Sequence, residues 1–200
     1  MKNVFIYKDK DGQEYKIRTA CLILICHEQV IMIKDCTQEI EFPGGKVETV
    51  DRNIYDTMGR ELWEELFLRG NHEGEFLSDW FDVKRAIIGA SGKQQNAMWI
   101  DIMRRLVIAE KKVEFFKRSG SELKTLYFII TIPKRIALYL EKECGAYLVD
   151  IKSLQDARTL ANKYSDLSTN RISRNIEIPV KNEYLKIRDR ELYCLPKCIF

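Results

Sequence analysis

The run TACLILIC, Thr19 to Cys26, constrains the fold of this chain more than any other segment. A strand with one face in water alternates polar and apolar residues, and a strand buried on both faces does not. This run barely alternates, so it predicts an inner strand with structure packed above and below it. It is too short to span a bilayer, which takes ~20 apolar residues in a helix. The rest of the chain must supply the two covering layers.

Further strands are legible on both sides of it. Val4 to Lys8 can pair with Glu14 to Ile17 across the Asp11-Gly12 turn, a common hairpin signal. Val30 to Lys34, Glu39 to Phe42, Leu126 to Ile132 and Tyr147 to Ile151 also read as strands. Residues 76 to 88, with Trp80, Phe81 and Val83, look extended. Residues 51 to 66 read as a helix, because Met58, Leu62 and Leu66 recur every fourth position as a buried stripe. Asp51 and Asp56 lie near its start, where the helix dipole favours acids. Ile136 to Glu143 reads as another helix. Leu154 to Tyr164 reads as a third, begun by Ser153 with Asp156 as an acidic capping box. Residues 95 to 118 also have helical spacing. The tail from Arg171 to Phe200 shows no clear pattern. Strands mixed with covering helices indicate an α/β or α+β fold, and 200 residues without a linker or repeat fit one domain.

Composition narrows the class of function. The net charge of +3 is too small to announce a nucleic-acid binder by itself. The N-terminus lacks the apolar stretch of a signal peptide. Six cysteines form no CxxC pair, with only His27 and His72 to assist them, which disfavours a zinc site. Cys194 and Cys198 are the one pair close enough to consider. Cys21, inside the apolar run, reads as core filler. Reduced cysteines in an intracellular, cytoplasmic protein are the expectation.

The chemistry concentrates in EFPGGKVETVDRNIYDTMGRELWEEL, residues 41 to 66. On a helix, Glu61 lies at i, i+3 and i+4 to Glu64 and Glu65, so the three carboxylates share one face and repel. A solvated acidic face is one reading. A divalent cation that offsets the repulsion is the other, and hard oxygen donors suit Mg²⁺. Gly44 and Gly45 permit a tight turn and close approach of backbone to a ligand. Arg60 is placed to pair with a carboxylate and orient it.

FPGGKVE followed by RELWEEL resembles the box of the Nudix hydrolases, G-x5-E-x7-R-E-U-x-E-E-x-G-U, with U a bulky aliphatic. The resemblance implies an α/β/α sandwich around a mixed sheet. It implies cleavage of the pyrophosphate link in a nucleoside diphosphate joined to another moiety, with Mg²⁺ or Mn²⁺ as cofactor. On this reading Glu61, Glu64 and Glu65 are metal ligands, with the Gly44 carbonyl a weaker candidate. The general base would be one of these three, with Glu64 or Glu61 favoured, and Arg60 stands beside them. Another acid in such enzymes often precedes a later strand, where Glu141 and Glu143 stand here, either as a base or as ordinary helix-end charges. Gly45 and Lys46 would meet the substrate. Two departures stand out. Asp51 occupies the place of the box's first Glu, with eight rather than seven residues before Arg60, and Phe67 stands where a glycine would close the helix.

Substrate choice lies outside the box. Residues 92 to 125 carry eight basic and four acidic side chains, a surplus of +4 that exceeds the whole chain's +3. Trp99, Phe115 and Phe116 are interleaved. A basic helical insertion of this kind, with Arg104, Arg105, Lys111 and Lys112, could track an RNA backbone while an aromatic ring stacks on a base. That is similar to the mRNA-decapping members of the family, so capped RNA is one expected substrate. A packed, solvated helix is the alternative. A small-molecule enzyme acting on a substrate such as ADP-ribose, and a catalytically silent binding module, are the competing functions. No membrane association is expected, and the oligomeric state is open.

Overall fold

The computed structural model describes residues 3–67, 110–114, 123–132, 134–165, 176–187 and 192. Ten strands of these described residues join in one mixed sheet. They are β1 (Phe5–Lys8), β2 (Glu14–Cys26), β3 (Gln29–Lys34), β4 (Glu39–Glu41), β5 (Gly44–Lys46), β6 (Glu110–Glu114), β7 (Leu123–Thr131), β8 (Tyr147–Asp150), β9 (Glu177–Val180) and β10 (Glu183–Ile187). Among the described residues the helices are α1 (Ile54–Leu62), α2 (Lys134–Cys144) and α3 (Ile151–Ser165), and a π-helical turn, Trp63–Phe67, continues α1. No helix among the described residues is long and apolar enough to cross a membrane.

Strand β2 organises the sheet, as its apolar run predicts. One edge pairs in parallel with β7, from Lys16 opposite Leu123 to Ile25 opposite Thr131, with a bulge between Ile17 and Thr19. The other edge takes three antiparallel partners in turn: β1 at its start, β5 in the middle and β3 at its end. Successive side chains of a strand point to opposite faces. Ala20, Leu22, Leu24 and Cys26 accordingly join one core with Leu126 and Phe128 of β7. Met58, Leu62 and Leu66 cover that face from the α1 side, and Ala137, Leu140 and Cys144 cover it from α2. Cys21 and Ile23 join the opposite core with Tyr127, and Leu154, Ala157 and Ala161 of α3 cover it. The sheet lies between helical layers, an α/β/α arrangement. Cys21 is fully buried and packs as core filler.

Local departures from the sequence reading have identifiable causes. Helix α1 starts at Ile54, not at residue 51. Asn53 Oδ1 accepts the amides of Tyr55 and Asp56 at 2.8 and 3.0 Å, so Asn53 is the N-cap that satisfies the helix's first free donors. Helix α3 starts at Ile151, which places Ser153 inside the helix and not at its cap. The Ile151 amide donates to the Glu28 carbonyl in the β2–β3 turn, so a tertiary hydrogen bond starts this helix directly after β8. The reading of 95–118 as helical fails over 110–114, which form β6 against β7, with Lys111 opposite Phe128 and Lys112 opposite Tyr127. The remainder of that stretch, and the extended reading of 76–88, lie outside the described residues.

The tail contributes structure that the sequence reading missed. Strands β9 and β10 form a hairpin around Lys181-Asn182, with Lys181 in the left-handed region at φ 55°. Strand β10 pairs in parallel with β4, and Ile178, Val180, Leu185 and Ile187 enter the α3-side core. Alternation in EIPV and EYLKI across a two-residue break was the available signal. Pro179 obscured it, because proline argues against a strand except at a sheet edge, and β9 is an edge strand.

Candidate active site

The glycine pair does not form a free turn. Gly44 to Lys46 is strand β5, with Gly44 opposite Cys21 and Gly45 opposite Ala20. Each glycine has its own reason to lack a side chain. Gly44 has φ +149°, and a Cβ there would collide with the Ala20 carbonyl and the Cys21 backbone. At Gly45 the obstacle is a side chain, because a Cβ would run into the Glu61 carboxylate. The glycines thus bring β5 flush against β2 and leave a recess that the first glutamate of REL-x-EE occupies.

Arg60 binds the surrounding acids together. Its Nε donates to Asp51 Oδ1 at 3.2 Å, and Nη2 donates to Asp51 Oδ2 at 3.1 Å and to the Lys46 carbonyl at 2.9 Å. Its Nη1 donates to Glu61 Oε1 at 2.9 Å and Glu64 Oε2 at 3.2 Å, and lies 3.8 Å from Glu48 Oε1. The guanidinium fork grips Asp51 in the two-point manner that lysine cannot reproduce. Burial works against the charge on Arg60, but Asp51 and Glu61 outweigh it and hold Arg60 protonated far above any working pH.

The carboxylates differ in environment. Glu61 is buried, and burial lifts its carboxyl above the usual range although Arg60 pulls it back and Glu64 and Glu48 push it further up. Asp51 has a side chain only 2% exposed. Burial would raise it, but the hydrogen bonds from Arg60, the Glu48 amide and the Thr57 hydroxyl prevail and hold it below the usual carboxylate range. Glu64 is about half exposed. Glu65 Oε2 accepts the Gly44 amide at 2.6 Å, so that amide serves the helix acid and not a ligand. Glu64 and Glu65 lie on the π-helical turn. Such turns recur at functional sites, and this one replaces the glycine-closed helix end that Phe67 excludes. Whether the helix continues toward Gly70 falls outside the described residues.

The structure thus brings Arg60, Glu61, Glu64, Glu65, Gly44 and Gly45 together, with Lys46 beside them through its carbonyl. It shows Asp51, which the resemblance places at the first acid of the box, bound to Arg60, and it adds Glu48 and Thr57, which sequence reasoning did not place in the site. The Asp51–Arg60 link shows that an acid one methylene shorter, on a loop one residue longer, still reaches the arginine. Glu141 and Glu143 lie within α2 and not on a loop before β8. Glu141 Oε1 pairs with Lys181 Nζ at 2.9 Å, which ties it to the β9–β10 hairpin. Lys111 and Lys112 sit on the edge strand β6, and Arg104 and Arg105 lie outside the described residues, as do Cys194 and Cys198.

A hard divalent cation fits this site by charge and donor type. Four carboxylates stand within 4.0 Å of one guanidinium, so negative charge is in excess, and the side chains of Asp51 and Glu61 are largely shielded from water. Oxygen donors of this kind suit Mg²⁺ or Mn²⁺. Among the described residues, no three His, Cys, Asp or Glu side chains already converge on a common point. Glu61 and Glu64 are both held by Arg60 Nη1.

No curated protein matches the sequence. Two crystal structures of a bifunctional NMN adenylyltransferase/ADP ribose pyrophosphatase from Francisella tularensis, one complexed with AMP and Mn ion, align with 58% of this chain at 19% identity. Their TM-scores are 0.33 and 0.32, and the alignment spans 28% of the length of those chains. The mMutator MutT protein from Bacillus halodurans aligns over 78% of this chain and 84% of its own, at 13% identity and a TM-score of 0.30. A NUDIX domain model matches residues 15–128, more than half of the chain, with all of β2 but its first residue, the glycine strand and the whole acidic helix, and the chain belongs to the NUDIX domain family.

Proposed function

We propose that the chain is a single-domain, metal-dependent hydrolase that cleaves the pyrophosphate bond of a nucleoside diphosphate linked to another moiety. The observation that carries this is the Arg60 cluster, which gathers Glu61 and Glu64 beside the glycine strand that Glu65 also contacts. Glu61, Glu64 and Glu65 would hold Mg²⁺ or Mn²⁺, with the Gly44 carbonyl as a further donor. When bound there, the metal would neutralise charge on the phosphate oxygens and lower the pKa of a water nucleophile. Arg60 holds the carboxylates in place so that little reorganisation is needed when substrate arrives. Glu64, the most exposed acid of the three, is open to accept a proton from an attacking water, and Glu61 is the second candidate.

The described residues favour no particular moiety on the far side of the diphosphate. The capped-RNA reading leaned on a basic helix through 92–125, and its described part is instead an edge strand and the start of β7. A small substrate such as ADP-ribose needs no such helix, so it stands at least level with capped RNA. The test is a panel of ADP-ribose, nucleoside triphosphates and capped RNA with Mg²⁺ or Mn²⁺, run beside Glu64→Gln and Glu65→Gln. Hydrolysis by the native chain that both variants lose supports the proposal. Release of a methylated guanosine diphosphate identifies the cap as substrate, and turnover of ADP-ribose alone identifies the small-molecule enzyme. No hydrolysis of any diphosphate, or full activity in Glu64→Gln, overturns it.

A further inference from the structure

The link between Asp51 and Arg60 has a third participant. Thr57 is fully buried in α1, and its Oγ1 donates to Asp51 Oδ2 at 2.9 Å. A threonine inside a helix ordinarily turns its hydroxyl back to the carbonyl one turn earlier or out to solvent. Here the hydroxyl leaves the helix for a carboxylate in the preceding loop. The same Oδ2 accepts the Glu48 amide at 2.8 Å and Arg60 Nη2 at 3.1 Å. The Asp51 amide in turn donates to the Glu48 carbonyl at 3.2 Å, so residues 48–51 close on themselves. Asp51 is therefore fixed from the loop by Glu48 and from the helix by Thr57, and both donors act on the oxygen that meets Nη2. Nη1 of the same rigid, planar guanidinium holds Glu61 and Glu64. A rotation of the Asp51 carboxylate is thereby passed to the two glutamates through one flat group.

We infer that Thr57 is a positioning residue for the glutamate site, acting through Asp51 and Arg60. The hydroxyl supplies the helix-side donor that a short acid on a lengthened loop needs to hold one orientation. The inference rests on the hydrolase reading for its kinetic consequence, but its geometry does not need a substrate. Thr57→Val keeps the branched shape and removes the donor, and Thr57→Ser keeps the donor and removes a methyl. Three quantities are measured for each: the Arg60 Nε–H resonance in metal-free protein, Mn²⁺ affinity by calorimetry, and kcat and KM on whichever diphosphate is turned over. Thr57→Val should shift the Arg60 resonance, weaken Mn²⁺ binding and lower kcat about tenfold with KM little changed, since a hydrogen bond to a charged group is lost at one remove. Thr57→Ser should restore all three. Native-like values in Thr57→Val overturn the inference, and so does Thr57→Ser as impaired as Thr57→Val, which would assign the effect to packing. If Thr57→Val does not fold, Thr57→Ala against Thr57→Ser is read in the same way. A native chain that turns over no diphosphate overturns the hydrolase reading alone. The Arg60 resonance and Mn²⁺ affinity of Thr57→Val would then still support the positioning role if changed, and overturn it if unchanged.

Discussion

Gly44 and Gly45 are adjacent, yet alanine at each should fail in a different way. At Gly44 the new Cβ meets main-chain atoms of β2, the Ala20 carbonyl and the Cys21 Cα, and φ is +149°. Neither the backbone conformation nor the neighbouring strand can give cheaply. Strain at such a φ costs ~1–3 kcal/mol and overpacking a further ~1–3 kcal/mol, so about 2–6 kcal/mol is lost. That is a large part of the ~5–15 kcal/mol that holds a domain folded. At Gly45 the backbone is ordinary, and the atoms nearest the Cβ are those at the end of the Glu61 side chain. The carboxylate can swing away at the loss of its hydrogen bond from Arg60, a charged bond worth ~1.5–3 kcal/mol when buried. Part of that is recovered if the displaced carboxylate reaches water, so Gly45→Ala should lose under about 2 kcal/mol of stability. Its function should suffer far more, because Glu61 is moved from its recess: we expect at least about tenfold lower kcat and weaker Mn²⁺ binding. Urea denaturation followed by circular dichroism gives the stability of each variant, and calorimetry with the hydrolysis assay gives the rest. Gly45→Ala with native Mn²⁺ affinity and native kcat would refute the placement of Glu61 against the glycine strand. Equal stability losses in the two variants would refute the distinction drawn between main-chain and side-chain obstacles.

Three further outcomes follow from the same geometry. Asp51→Asn should lose stability at neutral pH, and the gap to the native chain should close in acid. The native carboxyl is depressed, so its contribution is full above the ordinary value of 3.8 and fades as pH falls through the lower folded value; denaturation curves between pH 7 and 2 check this. A gap that widens in acid would contradict the sign. Ile187→Ala, on the strand that joins the tail hairpin to β4, should cost ~2–5 kcal/mol, read as a lower urea midpoint; a loss below about 1 kcal/mol would show that the hairpin is dispensable to the core. Mn²⁺ at a hundred times its dissociation constant should stabilise the native chain by ~2.7 kcal/mol, seen as a raised Tm that a chelator reverses. Glu65→Gln should reduce that rise, and an undiminished rise would place the ion elsewhere.

Local periodicity was enough to set several features of this chain. TACLILIC reads as an inner strand, because it is nearly all apolar with no water-facing alternation, and its side chains do divide between two cores. The stripe of Met58, Leu62 and Leu66 made the acidic segment a helix and fixed which side faces inward. The spacing of Glu61, Glu64 and Glu65 then made a shared acidic face unavoidable. Tertiary structure decided what depends on partners distant in sequence. Residues 110–114 carry helical spacing, but the free edge of β7 offers them a ladder of hydrogen bonds, and that pairing outweighs a weak local preference. The tail hairpin joins the sheet because β4 presents an edge 147 residues earlier in the chain (Lys186 opposite Glu39), which no local pattern encodes. Helix α3 begins where Glu28 offers a carbonyl, two residues before its apparent cap. At the site, the sequence supplied the acids and the arginine, but not their division of labour. Only the folded chain shows that Gly45 is empty so that Glu61 can be there, that the Gly44 amide is committed to Glu65, and that Asp51 and Thr57 set the angle of Arg60, because each is a contact between groups that the backbone brings together from separate strands, loop and helix.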